Sequence, residues 1–255
     1  MNLRAIIVTA VIFGMAAVFA PLQYLLIRVG GRTAQLLPWA YHTVMVRLIG
    51  LKITVVGTPE AAGPTLFVSN HVSWLDIPIL GAVLPASFIA KREVGNMGAF
   101  GTLARLQRTV FIDRERRAQT RAQTDEIAAR LSEGGNLILF AEGTSTDGSL
   151  VLPFKSALFA VAEGRDAALR IQPMTIAYKS IHGLPLTRGT RPIIGWFGDM
   201  DLVPHFLAIL ALGQIGVELR FHAPVDVAAF ESRKGLASHC YEAVRGGLLA
   251  ARRAA

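Results

Sequence analysis

His71 and Asp76, with four residues between them, follow directly on the apolar run Thr65-Leu-Phe-Val-Ser69. Histidine changes charge near neutral pH, and a neighbouring carboxylate fixes its tautomer and stabilises the imidazolium formed when it takes a proton. The pair is half of a catalytic triad. Ser69 and Ser73 lie nearby, but neither sits in a Gly-x-Ser-x-Gly elbow, and none occurs in the sequence. A His-Asp pair without its own nucleophile is suited to activating a hydroxyl that belongs to a substrate.

Three further apolar runs end in charged or glycine-containing sequence: Phe88-Ile-Ala-Lys-Arg-Glu93, Val110-Phe-Ile-Asp-Arg114 and Leu139-Phe-Ala-Glu-Gly-Thr-Ser145. In α/β folds ligands gather at the carboxyl ends of strands, so these ends are expected to converge with His71 into one pocket. Each residue also has a plainer reading. His71 alone is more often a structural histidine, and Asp76 alone could merely complement a helix dipole. Arg114, Arg116, Arg117 and Arg121 could form a solvated helix face. Glu142 could be a structural link to a cation, and Lys91 and Arg92 are equally ambiguous.

The elements that must position these residues read as alternating short apolar runs and helical stretches, an α/β pattern. Strands are expected near 52–56, 65–69, 86–90, 109–112, 136–140, 171–177 and 217–222. Helices are expected at 75–83, 97–106, 115–133, 154–163 and 228–252, the third capped at Asp113 to Glu115. The run from His205 to Leu219 is too short to span a bilayer and suits a buried or interfacial helix. Residues 1–51 read as a membrane anchor and 52–255 as one domain. Ala5 to Ile27 is apolar except for Thr9 and Gln23, long enough to cross a hydrocarbon core of about 30 Å. A retained anchor is favoured over a signal peptide, because the run is longer than an ordinary h-region and no cleavage site is evident. Gln35 to Leu51 forms a second, weaker segment with Trp39 and Tyr41, so a spanning helix and a hairpin lying in one leaflet both remain open.

Composition agrees with a lipid surface. Hydrophobic residues make up 52% of the 255 and charged residues only 17%, against about 25% in ordinary soluble proteins. The net charge is +8, and residues 1 to 59 carry five basic side chains and no acidic one. Basic charge beside aliphatic sequence suits anionic headgroups, and no nucleic-acid-binding motif is present. The single cysteine, Cys240, excludes an internal disulfide. The histidines show no zinc-type spacing, and the glycines form neither a Walker loop nor a dinucleotide fingerprint, so no metal and no bound cofactor are expected.

From about residue 40 onward the chain resembles the 1-acylglycerol-3-phosphate acyltransferases and related lyso-lipid O-acyltransferases. His71-x-x-x-x-Asp76 looks like that family's catalytic box, Phe111-Ile-Asp-Arg114 like its second block, Phe140-Ala-Glu-Gly-Thr144 like its third and Gln172-Pro-Met174 like its fourth. The resemblance implies a mixed, largely parallel sheet flanked by helices. It implies transfer of an acyl chain from acyl carrier protein or coenzyme A to a lyso-lipid hydroxyl at the cytoplasmic face of the inner membrane. His71 would be the general base and Asp76 its orienting partner, with backbone N–H groups near the box expected to hold the oxyanion. Lys91, Arg114, Glu142, Gly143 and Thr144 would bind substrate.

Two departures bear on the acceptor. The third block commonly reads Phe-Pro-Glu-Gly-Thr-Arg, whereas here Ala141 replaces the proline and Ser145 the arginine, removing a guanidinium suited to phosphate. Arg108 stands where the second block often has glycine, and is a candidate to compensate. Together with Trp196-Phe-Gly-Asp-Met-Asp201, these blocks look like the bacterial branch that acylates lyso-ornithine lipid, whose headgroup is zwitterionic. Either that lipid or 1-acylglycerol-3-phosphate is an expected acceptor. A lipid-binding protein without catalysis and a hydrolase using water are the alternatives from other classes.

Overall fold

Runs of Val, Ile, Leu and Phe bounded by polar turns build the single sheet at the centre of the computed structural model, which describes residues 2–30, 33–60, 64–112, 120–162 and 169–253. The strands are β1 (Leu51–Val56), β2 (Thr65–Ser69), β3 (Ala86–Lys91), β4 (Val110–Ile112), β5 (Asn136–Phe140), β6 (Arg170–Ile181), β7 (Leu184–Pro185), β8 (Ile215–Phe221) and β9 (Val225–Asp226). Their order is β1-β8-β6-β2-β5-β3-β4, with the short β7 and β9 paired to β6. Strands β6, β2, β5, β3 and β4 run parallel to one another, and β8 meets β6 antiparallel. Every residue of β2 is buried, as expected of a central strand covered on both faces.

Helices cover both faces. On one side lie α1 (Leu3–Val29), α2 (Thr33–Ile49), α3 (Asp76–Val83) and α6 (Leu202–Leu212), sharing a core with Phe67, Phe88, Ile138, Ile176 and Val217. On the other, α5 (Thr120–Ser132) and α7 (Arg233–Arg253) pack with Leu66, Val68, Leu139 and Ala177. The alternation of Ile138 and Leu139, or Ile176 and Ala177, between the two cores is the period-two geometry of a strand. Helix α4 (Gly98–Leu106) leads into β4.

Helix α1 has 27 residues, about 40 Å at 1.5 Å per residue, and a mean hydropathy of 2.4 over its most apolar window. Only one stripe is buried: Ala5, Val8, Ile12, Ala16 and Gln23. Gln23 Nε2 donates to Ala34 O and Leu106 O, each at 2.8 Å. The opposite stripe of Ile7, Val11, Val18, Leu22, Leu25 and Val29 is exposed. Arg4 donates to Leu48 O, Ile49 O and Leu210 O, the last carbonyls of α2 and α6, where a cation complements the helix dipole.

Several boundaries differ from the sequence expectation. Leu51 opens β1 rather than closing α2, because Leu51 to Val56 pairs in parallel with β8. The segment expected as a helix at 154–163 is a 3-10 helix, Ser156–Ala162. The apolar run from His205 divides into the end of α6 and the start of β8, turning at Gly213, whose φ of 89° suits glycine. The expected cap at Asp113 to Glu115 lies outside the described residues.

Candidate active site

Because β2, β3, β4 and β5 are parallel, their carboxyl ends share one edge, and the segments after them meet there. His71 follows β2, Lys91 ends β3 and Glu142-Gly143-Thr144 follows β5. Arg114 lies outside the described residues. The loop into α3 is held by Asn70, which continues the pairing of β2 with β6 through its side chain. Its Nδ2 donates to Ile176 O at 3.0 Å, and its Oδ1 accepts from Ile176 N at 2.9 Å.

Asp76 is the first residue of α3 and fully buried. Its Oδ2 lies 2.7 Å from His71 Nδ1 and accepts the N–H groups of Val72 at 2.7 Å and Ser73 at 3.1 Å. Its Oδ1 accepts the Tyr178 hydroxyl at 2.7 Å. An ionised carboxylate only accepts, so Nδ1 carries the ring proton and Nε2 keeps its lone pair. Phe140 stacks on the imidazole with centroids 4.0 Å apart and planes 16° apart, fixing the ring's tilt.

Glu142 is 1% exposed, and its two oxygens hold two strands of backbone: Oε1 accepts His71 N at 2.8 Å and Oε2 accepts Leu152 N at 2.9 Å. Burial pushes its carboxyl up to about 7 against the pull of those two N–H groups. Glu142 therefore braces the histidine's backbone; its link is to N–H donors rather than to a cation. The turn beside it needs Gly143, which has φ 72° and closes an N–H bond to Phe140 O at 3.1 Å. Thr146 N donates to His71 O at 3.0 Å, tying the third block to the box a second time. The N–H groups of His71, Val72 and Ser73 are all taken by carboxylates, so these three are not available to an oxyanion.

A cavity of about 470 Å³ opens on His71. Its wall is largely apolar, with Ile12 and Phe13 from α1, Met45 from α2, Trp74, Phe88 and Phe206. Lys91, Glu93, Gly143, Thr144 and Ser145 give its polar end. Trp74 donates from Nε1 to His205 Nδ1 at 3.0 Å. Burial lowers the His205 imidazole, keeping it a neutral acceptor. His42, also on the wall, is pushed by burial down to about 4.

The two departures from the family pattern have distinct structural outcomes. Arg108 has a φ of 58°, which explains a preference for glycine there, and its guanidinium pairs with Glu133 at 2.8 Å. It does not line the cavity, so it does not replace the missing cation. Ser145 does line the cavity, and its hydroxyl donates to Trp196 O. That bond, with Trp196 N donating to Val72 O at 3.0 Å, holds Trp196, Phe197 and Gly198 against the site. In the fourth block, Gln172 is structural: its amide accepts Glu60 N at 2.7 Å and donates to Thr58 O at 2.9 Å and His222 O at 2.8 Å.

An α/β sheet with a His-Asp pair at its carboxyl edge and a largely apolar cavity beside it defines an acyl-transfer scaffold, and the chain belongs to the acyltransferase family. The family model, Acyltransferase, matches residues 52–177. The lyso-ornithine lipid O-acyltransferase of Brucella abortus is 44% identical over 98% of this chain and 96% of its own length. The lyso-ornithine lipid O-acyltransferase of Rhizobium meliloti is 38% identical over 86% of this chain and 77% of its own. A 1-acyl-sn-glycerol-3-phosphate acyltransferase of Neisseria gonorrhoeae is 32% identical over 73% of this chain and 70% of its own. The fold matches the crystal structure of the 1-acyl-sn-glycerophosphate (LPA) acyltransferase from Thermotoga maritima, with a TM-score of 0.69 over 97% of this chain and 95% of that one, at 21% identity.

Proposed function

We propose that this acyltransferase moves a fatty acyl chain from a cytoplasmic thioester, acyl carrier protein or coenzyme A, to the hydroxyl of lyso-ornithine lipid. His71 is the general base. Its Nε2 takes the proton as the lipid oxygen attacks the thioester carbonyl, and Asp76 balances the imidazolium. The tetrahedral intermediate collapses, the C–S bond breaks, and the leaving sulfur takes the proton back. The products are an ester and a free thiol. Thr144, an exposed cavity-lining residue, supplies a donor for the oxyanion or the headgroup.

The observation that carries this reading is the His71 ring itself: Nδ1 is committed to Asp76, and Nε2 has no protein partner among the described residues while the ring lines the cavity. The aminolipid is favoured over the phosphate acceptor by Ser145, whose hydroxyl is spent on Trp196 O and which carries no charge. Lys91, an exposed residue of the cavity lining, is suited to the acceptor's carboxylate, and Arg114 is proposed for an anionic part of either substrate. The exposed apolar stripe of α1 and the basic excess of residues 1 to 59 support residence at the cytoplasmic face of a membrane with anionic lipids.

Purified enzyme in mixed micelles, given labelled acyl thioester and a panel of lyso-lipids, tests the proposal. Ester formation on lyso-ornithine lipid, lost in His71→Ala, is expected. Undiminished transfer in that variant would remove His71 as the base, and free fatty acid as the sole product would make the chain a hydrolase.

A further inference from the structure

We infer that Tyr178 is a third member of the reaction machinery, a positioning residue that acts on His71 through Asp76. The inference rests on the general-base reading above and extends it. In the geometry, the phenol donates to Oδ1 at 2.7 Å while Oδ2 faces His71 Nδ1, also at 2.7 Å. The carboxylate is thus gripped from both sides, and the imidazole is aligned by a group that is itself aligned. Val72 N and Ser73 N bind only Oδ2, so the Tyr178 hydroxyl is the sole donor to Oδ1 among the described residues.

Strand β6 delivers the phenol by its register. Met174, Ile176 and Tyr178 fall on the face shared with α3, and Asn70 bonds Ile176 on both sides, locking the strand to the loop that carries His71. Directly beyond Tyr178, pairing with β8 shifts: Tyr178 faces Val217, but Ser180 faces Gly216, leaving Lys179 as the extra residue of a bulge. Bulges recur beside active sites, where they set the aim of a side chain. Burial, reinforced by the Asp76 carboxylate, pushes the phenol well above its usual value, so it remains an O–H donor at neutral pH. The proton stays on oxygen throughout; Tyr178 orients and shares charge, and no proton passes along the chain.

Other charges near the phenol come from several elements. Asp147 after β5, Arg191 and Arg252 line the small cleft beside Tyr178, and Glu142 reaches the site through His71 N. Lys179 and Glu218 pair with one another, with Lys179 also donating to Ala251 O in α7. All of these persist in a Tyr178→Phe protein, so a difference from wild type isolates the hydroxyl.

The experiment compares wild type, Tyr178→Phe, Asp76→Asn and the double variant, measuring kcat and KM for thioester and lyso-lipid across pH. A hydrogen bond to a charged group is worth enough that Tyr178→Phe should lose about tenfold in kcat, with both KM values within about twofold. Without the phenol Asp76 holds more of its charge for the imidazolium, so the acid limb of the kcat/KM profile should move to higher pH. In the Asp76→Asn background the same change should cost nothing further, because its route to His71 is gone. Additive losses in the double variant, or an unmoved pH profile with kcat falling only as the folded fraction falls, would reduce Tyr178 to a core residue. If His71→Ala retains activity, the general-base reading fails first; if His71 is essential and Tyr178→Phe is silent, only the present inference fails.

Discussion

Glu142 accepts the backbone N–H of His71 at 2.8 Å, so a carboxylate buried behind the site holds the main chain of the proposed base in place. The contact runs from the third sequence block to the first, and the second oxygen of Glu142 extends it to Leu152. Two blocks 71 positions apart are thereby one rigid unit, with the glutamate on its inner side.

Glu142→Gln replaces one acceptor with an amide donor facing an N–H group. The cost expected is about 1–3 kcal/mol of stability, from one buried backbone donor left unpaired. The pH dependence carries a sign. Between the usual 4.5 and about 7 the folded chain keeps a proton on Glu142 that the unfolded chain has released. This group's contribution to stability therefore falls as pH rises through that window and levels off above it. Urea unfolding across pH 4.5 to 7.5 should show this slope in wild type and lose it in Glu142→Gln; equal slopes would contradict the assignment.

Asp76→Asn should reduce kcat by about 100- to 10,000-fold, as the imidazolium loses its counter-charge and the ring its fixed tautomer. Stability should fall too, because an amide nitrogen would face N–H or O–H donors now bound to Oδ1 and Oδ2. Steady-state kinetics and thermal melting together check this; wild-type kcat in a destabilised protein would deny the pair its catalytic part.

Ser145→Arg restores the family's usual residue. It should raise the use of 1-acylglycerol-3-phosphate relative to lyso-ornithine lipid by about tenfold, the scale of one added charge-assisted contact. Ser145→Ala is the companion, because either change removes the bond to Trp196 O. A shift in acceptor ratio in both variants would trace to the Trp196 loop, and a shift in neither would place the headgroup elsewhere.

Met45→Trp adds bulk to the cavity wall. Each methylene of an acyl chain gains about 0.8 kcal/mol on leaving water, so lost length should appear as a preference for donors shorter by about two carbons. Competition between thioesters of different length measures it, and an unchanged preference would mean that the acyl chain lies elsewhere.

The sequence was informative where one residue type at one spacing has few uses. The His71 and Asp76 spacing, the strand ends and the layer pattern were all legible, because strand periodicity and turn residues are local signals. Tyr178 was not legible: its partner is 102 positions away, and an apolar strand with one tyrosine reads as core. Glu142 was legible as part of the strand-end cluster but not as a brace, since only the folded chain brings His71 N to it. Arg108 was misplaced for the opposite reason. Its charge invited a substrate, while its φ of 58° and its pairing with Glu133 turn it elsewhere. The apolar helix at the start was legible by composition, and its buried stripe against α2 and α6 was not, because the buried and exposed faces of α1 are both apolar.

That stripe has a consequence for how this enzyme tolerates change. Ile12 and Phe13 of α1 line the cavity beside His71, while Ile7 and Val11 of the same helix face outward. On the proposed function, finding the bilayer and measuring the fatty chain fall to neighbouring side chains on one helix. A lineage that adapts to a different membrane by altering this helix will therefore alter, in the same step, the fatty acids it installs there.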